Sequence, residues 1–425
     1  MDRFVIEGGG KLEGVVQTEG AKNAVLPVMA AALLSDQPLA VEAAPHLADV
    51  RTMGDLLRGL GCSVERSSEG VLELCAEGPI EYVAPWEQVR KMRASVCVLG
   101  PLLARLGRAQ VSLPGGCVFG VRPIDVHLKG LEALGAKVHI EHGYIHTEAP
   151  RGGLEGAEVF LGTPFGPSVT GTMNVLMAAV LARGRTVIHG AACEPEVGNL
   201  VECLQAMGAQ IQGKGSPRLE IEGVQSLQPA RHRVLPDRIE AGTYLIAGAI
   251  TGSRVRVEGC RPEELTALLD RLQEACVPVE RGEDWLETQE CGDDRPRPTD
   301  VTTQPYPGFP TDLQAQWMAL MTRAEGFSIL TERIYPDRYM HLPELLRMGA
   351  RIRRQGSAAV VQGCAQLSGA PVTASDLRAS AALVLAGLVA KGETEVHRVY
   401  HIDRGYVRIE ERLQALGARI QRVSE

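Results

Sequence analysis

The sequence predicts an α/β fold of two domains, each built from three repeats. Three observations carry this. A unit of apolar helix, short strand, second helix and hairpin recurs six times along the 425 residues. Five of the units close on nearly the same stop: Leu60-Gly61-Cys62, Leu134-Gly135-Ala136, Met207-Gly208-Ala209, Met348-Gly349-Ala350 and Leu416-Gly417-Ala418. The stops fall at a spacing of about seventy residues, so six copies fill the chain.

The first apolar helix is read in Asn23–Leu34, and its counterparts begin near Met92, Thr172, Ile239, Leu313 and Leu377. Each ends in a turn and enters a β-type segment: Leu39–Val41, Gln110–Ser112, Thr186–Ile188, Arg254–Arg256, Ser328–Leu330 and Glu395–His397. The second helix then ends at the stop, where a glycine just past the last turn is a C-cap signal. The fourth copy departs, reading Gln273-Glu274-Ala275. An alternating strand follows, as in Ala136–Ile140, with a hairpin return expected in five of the six copies, as in Tyr144–Thr147. One such unit buries little by itself. Three around one axis bury their apolar helices against each other and against sheet. Six copies divide as three plus three, with a boundary near Gln228-Pro229-Ala230. The strand Phe4-Val5-Ile6 is expected to complete the other domain beside the strand after Leu416. The domains are therefore 22–235 and 1–21 plus 236–425, with crossings near Gly20 and Leu235.

Apolar residues make up 45% and charged residues 23%, the balance of a soluble globular protein, and with 4% aromatics the core must be Leu, Val, Ile and Ala. A net charge of −8 argues against a general binder of nucleic acid or anionic membrane, so an anionic substrate must meet a local cluster of Arg and Lys. The start, MDRFVIEGGGKLEG, has no apolar signal core, and no apolar run reaches membrane-spanning length. Ten cysteines form no C-x-x-C pair, which fits free thiols in a reducing cytoplasm and indicates neither a zinc ribbon nor a redox motif.

Chemistry concentrates between Gln110 and His127. A strand runs into Pro114-Gly115-Gly116, then Cys117, Gly120, Arg122-Pro123, Asp125 and His127. Most buried cysteines are small hydrophobes, and Cys97 in its apolar run is of that kind. Cys117 sits instead in a glycine-rich loop near an arginine that would stabilise a thiolate and hold an anion. Lys22 opens the first helix, where free N–H groups and the dipole favour an anion, although lysine there is otherwise disfavoured. Arg93 opens the second copy, in Lys91-Met92-Arg93-Ala94-Ser95. Asp237-Arg238, Asp337-Arg338 and Asp403-Arg404 read either as surface ion pairs or, for Arg404 before Gly405, as a ligand-facing arginine. Asp312 reads equally as a helix cap or as a general base.

GAKNAVLP, KMRASVCVLGPL, SLPGGCVFGVRPIDVH, LPDRIEAGT, FPTDLQAQ, DLRASAALVLAG and HIDRGYVRIEERLQALGA, taken together, resemble the UDP-N-acetylglucosamine enolpyruvyl transferases of the EPSP synthase-like family, from Phe4 to Ile420. The resemblance implies two inside-out α/β barrel domains of three repeats each. It implies transfer of enolpyruvyl from phosphoenolpyruvate to the 3-hydroxyl of UDP-N-acetylglucosamine with release of phosphate, the first committed step of peptidoglycan synthesis, in the cytoplasm. By the same resemblance Cys117 protonates the enol carbon and is the thiol alkylated by fosfomycin. Lys22, Arg122 and Arg404 hold phosphoenolpyruvate, and Asp312 takes the hydroxyl proton. Asn23, Arg93, Pro123, Ile124, Asp125, Val126, Ser168, Val169 and Ile334 contact the UDP-sugar, with Asp376 near the reacting centre. No metal or organic cofactor is implied, nor any nucleic-acid or membrane partner. The 161–172 segment departs from the family: it is longer, and Thr170 stands where glycine is usual after Ser-Val.

Overall fold

The computed structural model describes residues 2–113, 124–291 and 295–424. They fall into two compact units. An N-terminal unit takes in 20–113 and 124–235, and a C-terminal unit takes in 2–19 and 236–424.

Each unit contains three four-stranded sheets, and all six have one pairing pattern. In the one leading to the Gly-rich stretch, Arg108–Ser112 pairs in parallel with Val83–Ala84 and antiparallel with Tyr144–Glu148, which pairs antiparallel with the edge strand Lys137–Glu141. The strands alternate buried and exposed residues because one face of each sheet lies on the core. The chain closes some sheets at long range. Leu39–Glu42 takes its parallel partner from Ala230–Arg233, and Arg254–Glu258 takes its own from Glu13–Gln17. The return strand of the sixth copy is the N-terminal segment Asp2–Glu7, set between Glu393–His397 and Arg419–Ser424, the pairing expected for Phe4–Ile6.

The six apolar helices lie inside. In the N-terminal unit Leu99–Leu106 packs on Val169–Ala179, and Lys22–Ala31 packs against the 3₁₀ turn Arg93–Val98 that leads into Leu99–Leu106. Arg238–Thr251, Gln314–Met321 and Leu377–Val389 pack together in the C-terminal unit. They are buried on nearly every side, which a helix tolerates only when apolar all round. Packing is close where Leu99–Leu106 crosses Val169–Ala179. A Cβ on Gly100 would stand 2.2 Å from the Asn174 carbonyl oxygen, and the Gly100 N–H donates to Asn174 Oδ1 at 2.6 Å. The second helices of the copies, such as Ala48–Gly59, are amphipathic and half-covered.

The stops behave as C-caps. Gly61, Gly135, Gly208, Gly349 and Gly417 all have φ between 84° and 99°. In the fourth copy the same position is Cys276, at φ 59°. Its bonds match the others: Cys276 N–H to Gln273 C=O and Val277 N–H to Leu272 C=O, as Gly135 and Ala136 bond to Glu132 and Leu131. The departure in sequence is thus a substitution within a retained cap.

Candidate active site

Cys117, Arg122 and Pro123 lie outside the described residues. The other expected site residues divide between the two units.

In the N-terminal unit, Lys22 is the first residue of its helix, and Ala21 before it supplies no side-chain cap. Its Nζ pairs with Asp49 Oδ2 at 2.8 Å, both side chains largely withdrawn from water (13% and 3% exposed). A buried carboxylate thus holds the cation against the unfavourable dipole. Asn23 follows on the first turn, half-buried. Arg93 opens the 3₁₀ turn Arg93–Val98 and lies within electrostatic reach of His127. His127 is fully buried on the helix Asp125–Ala133. Burial first, and Arg93 second, push its imidazole down to about 3, so the ring is neutral at ordinary pH. The Asn174 amide fixes the tautomer. Its oxygen accepts from Gly100, so its Nδ2 faces His127 Nδ1 at 3.0 Å as donor. The imidazole N–H is then on Nε2, 3.3 Å from Thr170 Oγ1. Thr170, where the resemblance implies glycine, therefore meets a neutral buried histidine.

The starts of the helices Asp125–Ala133 and Val169–Ala179 adjoin. A Cβ on Gly171 would sit 2.9 Å from Ser168 Oγ and 3.1 Å from Val126 Cγ1. Ser168 caps the second of these, accepting from Gly171 N–H at 3.1 Å. Val169 is its first residue, half-buried; Ile124 and Val126 are buried, and Asp125 is exposed. The 161–172 segment forms a small hairpin, Gly162–Thr163 against Gly166–Pro167, with Thr163 Oγ1 donating to Gly166 C=O at 2.6 Å.

In the C-terminal unit the cap reading of Asp312 is overturned. It lies in the 3₁₀ turn Thr311–Leu313, and no side chain caps that turn or the following helix. Its carboxylate instead accepts from Arg338 at 2.7 Å and Arg378 at 3.1 Å, two buried guanidiniums. Arg338 thus pairs with Asp312 across the site rather than with its neighbour Asp337, which pairs with Arg354. Arg378 also donates to Tyr406 Oη at 3.1 Å, which is hydrogen-bonded to Thr243 Oγ1 at 2.8 Å. Burial, the largest single influence, would depress both guanidiniums, but the neighbouring charges and hydrogen bonds, Asp312 foremost, together outweigh it and raise them. Asp376 is buried and caps Leu377–Val389, accepting from the N–H groups of Arg378 and Ala379. Its charge opposes, without overcoming, the burial that pushes His341 down to about 4. Arg404 ends the turn Val399–Arg404. Its charge, after burial, lowers His401, on which Asp376 acts in the opposite sense. Ile334 donates its N–H to Glu332 Oε1 at 2.8 Å.

The C-terminal unit therefore brings Asp312, Asp376 and two arginines into one cluster, with Arg404 acting on the same histidine as Asp376. Sequence reasoning did not single out Arg338, Arg378 and Glu332 as site residues. A signal existed for the arginines in the Asp337-Arg338 dipeptide and in Asp376-Leu377-Arg378. Glu332 carried none. Among the described residues, His139, Glu141 and His146 on an outer hairpin could offer donors to a metal, their ligand atoms lying within 4.8 Å of one another.

The sequence profile of the EPSP synthase (3-phosphoshikimate 1-carboxyvinyltransferase) family matches residues 6–413. A UDP-N-acetylglucosamine 1-carboxyvinyltransferase of Anaeromyxobacter sp. strain Fw109-5 is 55% identical over 99% of both chains. One from Anaeromyxobacter sp. strain K is 56% identical over the full length of both. The chain belongs to the UDP-N-acetylglucosamine 1-carboxyvinyltransferase family. It is a transferase of that family. Its fold is shared with the enolpyruvyl transferase NikO from Streptomyces tendae, at a TM-score of 0.89 and 24% identity over 100% of this chain and 99% of that one. It is shared also with EPSP synthase from Acinetobacter baumannii, at 0.73 and 17% over both full lengths. Among the described residues no helix is long and apolar enough to cross a membrane.

Proposed function

We propose that this chain transfers the enolpyruvyl group of phosphoenolpyruvate to the 3-hydroxyl of UDP-N-acetylglucosamine, releasing phosphate, as the first committed step of peptidoglycan synthesis in the cytoplasm. The observation that carries this is identity of 55–56% along the whole chain to relatives of that one name. The geometry agrees with it: a carboxylate held between two buried guanidiniums suits proton removal beside a dense anion.

In this reading the sugar 3-hydroxyl adds to C2 of phosphoenolpyruvate while Asp312 takes its proton and Cys117 gives one to C3. Loss of a proton from C3 then expels phosphate from C2, so nothing is oxidised or reduced and no cofactor is required. Lys22, Arg122 and Arg404 hold the phosphate and carboxylate, and Asp376 stands near the reacting centre. Asn23, Arg93, Pro123, Ile124, Asp125, Val126, Ser168, Val169 and Ile334 bind the UDP-sugar. The architecture is two inside-out barrels of three repeats, domains 22–235 and 1–21 plus 236–425, a reading supported by the single pairing pattern of the six sheets.

The test is phosphate release from phosphoenolpyruvate with UDP-N-acetylglucosamine, UMP or shikimate 3-phosphate as acceptor. Turnover is expected with the first. Preference for either of the others would overturn the proposal. Cys117→Ser is expected to abolish fosfomycin labelling, seen by intact mass.

A further inference from the structure

Glu332 is a charged side chain with no exposure to solvent, at the end of the strand Phe327–Thr331, and the proposed chemistry does not use it. Its surroundings are all donors. Oε1 accepts from Thr303 Oγ1 at 2.7 Å and from the N–H groups of Ile334 and Tyr335 at 2.8 and 2.9 Å. Oε2 accepts from Thr311 Oγ1 at 2.9 Å. Neither hydroxyl is free to turn round. Thr303 Oγ1 already accepts from Arg333 N–H at 2.9 Å, and Thr311 Oγ1 from Arg338 Nη1 at 2.9 Å. Each hydroxyl gives its one proton to Glu332 while a lone pair takes the second bond. All four partners donate, and Glu332 is the acceptor they share.

The chain of bonds continues to Asp312. Arg338 Nη1 carries two protons, one on Thr311 Oγ1 and one on Asp312 Oδ1 at 2.7 Å. Glu332 also grips the backbone at Ile334 and Tyr335, four and three residues before Arg338. It thus fixes this arginine twice, through its chain and through the hydroxyl its guanidinium rests on. We propose that Glu332 is a positioning residue for the transfer reaction, acting through the Thr311 hydroxyl and Arg338 to hold the Asp312 carboxylate in its reactive orientation.

This rests on the reading of Asp312 as the acceptor of the sugar hydroxyl proton. In Glu332→Gln, the new amide N–H₂ would present a donor to a Thr311 hydroxyl that already accepts from Arg338, forcing the hydroxyl proton to swing and loosening the arginine. Asp312 is faced by Arg338 and Arg378, and the wider cluster includes Asp376, His341 and Tyr406. With the Glu332 charge gone, the balance around Asp312 becomes more positive, and it holds its proton less tightly.

The experiment measures phosphate release from phosphoenolpyruvate and UDP-N-acetylglucosamine across pH for the full chain and for Glu332→Gln, Thr311→Val, Thr311→Ser and the double variant Thr311→Val/Glu332→Gln. For Glu332→Gln and Thr311→Val, kcat is expected to fall on the order of tenfold or more, with KM for the UDP-sugar within about threefold. In Glu332→Gln the acid limb of the profile moves to lower pH by about half a unit. Thr311→Ser, which keeps the hydroxyl, stays within about threefold of the parent. In the double variant the losses do not multiply, since both remove one relay. Losses that multiply, an unchanged kcat and profile in Glu332→Gln, or a Thr311→Ser as impaired as Thr311→Val would overturn the proposal. If Glu332→Gln does not fold, the Val and Ser pair at Thr311 still decides. An unmodified chain that releases no phosphate would count against the assigned reaction instead.

Discussion

Asp312→Asn tests whether the carboxylate holds its surroundings together, apart from the chemistry proposed for it. The change keeps the shape and one acceptor but removes the charge facing Arg338 and Arg378, whose residues are 7% and 3% exposed. Removing one partner of a buried ion pair costs about 3–5 kcal/mol. Two facts reduce that figure here. The Asp312 side chain is 23% exposed, so water screens part of its field, and Asp376 and Glu332 still act on Arg338. A loss of about 2–3 kcal/mol remains, two or three times what a lost helix cap would cost. For a unit of this size each kcal/mol moves the melting temperature by about 2–4 °C, so a drop of roughly 4–12 °C is expected. Scanning calorimetry on the parent and variant, repeated in high salt, reads it directly. A melting temperature unchanged or raised would refute the reasoning, because the two guanidiniums would then be content without their shared anion.

Three further outcomes are expected. Cys276→Gly should stabilise the chain by about 0.5–1 kcal/mol in urea unfolding: relief of the left-handed backbone exceeds the entropy that glycine adds to the unfolded state, and the exposed thiol has little packing to lose. Gly100→Ala should destabilise by at least about 1–3 kcal/mol, since its Cβ has no room before the Asn174 carbonyl; a neutral result in the same assay would mean that the helices separate at little cost. His127 and His341, held at about 3 and about 4, should show no ring titration by NMR between pH 5 and 8. Below pH 6.5 the unfolded chain binds protons that these folded rings refuse, so their contribution to stability declines as pH falls, by about 2 kcal/mol each at pH 5. A ring that titrates near 6.5 would contradict its burial.

The repeat was legible because its signals are strong and periodic. All-apolar helices and glycine stops are visible without a structure, and the strands between them alternate. The parallel strand of each sheet was not legible. Segments such as Val83–Ala84 and Val301–Thr302 have two residues each, too short for any period to register. The cluster around Asp312 divided in the same way. Asp312 stood out by type and setting, but its alternatives stayed level because a helix cap and a general base call for the same residue. Only the folded chain shows that Arg338 reaches past Asp337 to find it. Glu332 had no signature at all, since its meaning lies in four donors drawn from three separate stretches of chain.

The interleaving of the chain's two ends carries a consequence for how this protein is made. Asp2–Glu7 lies between Glu393–His397 and Arg419–Ser424, and Glu13–Gln17 borders Arg254–Glu258. Asp2–Glu7 therefore waits, unpaired, until Glu393–His397 and Arg419–Ser424 have been synthesised. A fragment beginning at 236 would leave two sheets with open edges, inviting edge-to-edge association. A permuted gene that moves residues 1–19 behind residue 425 would make that unit continuous in sequence, and should let it fold without its other half.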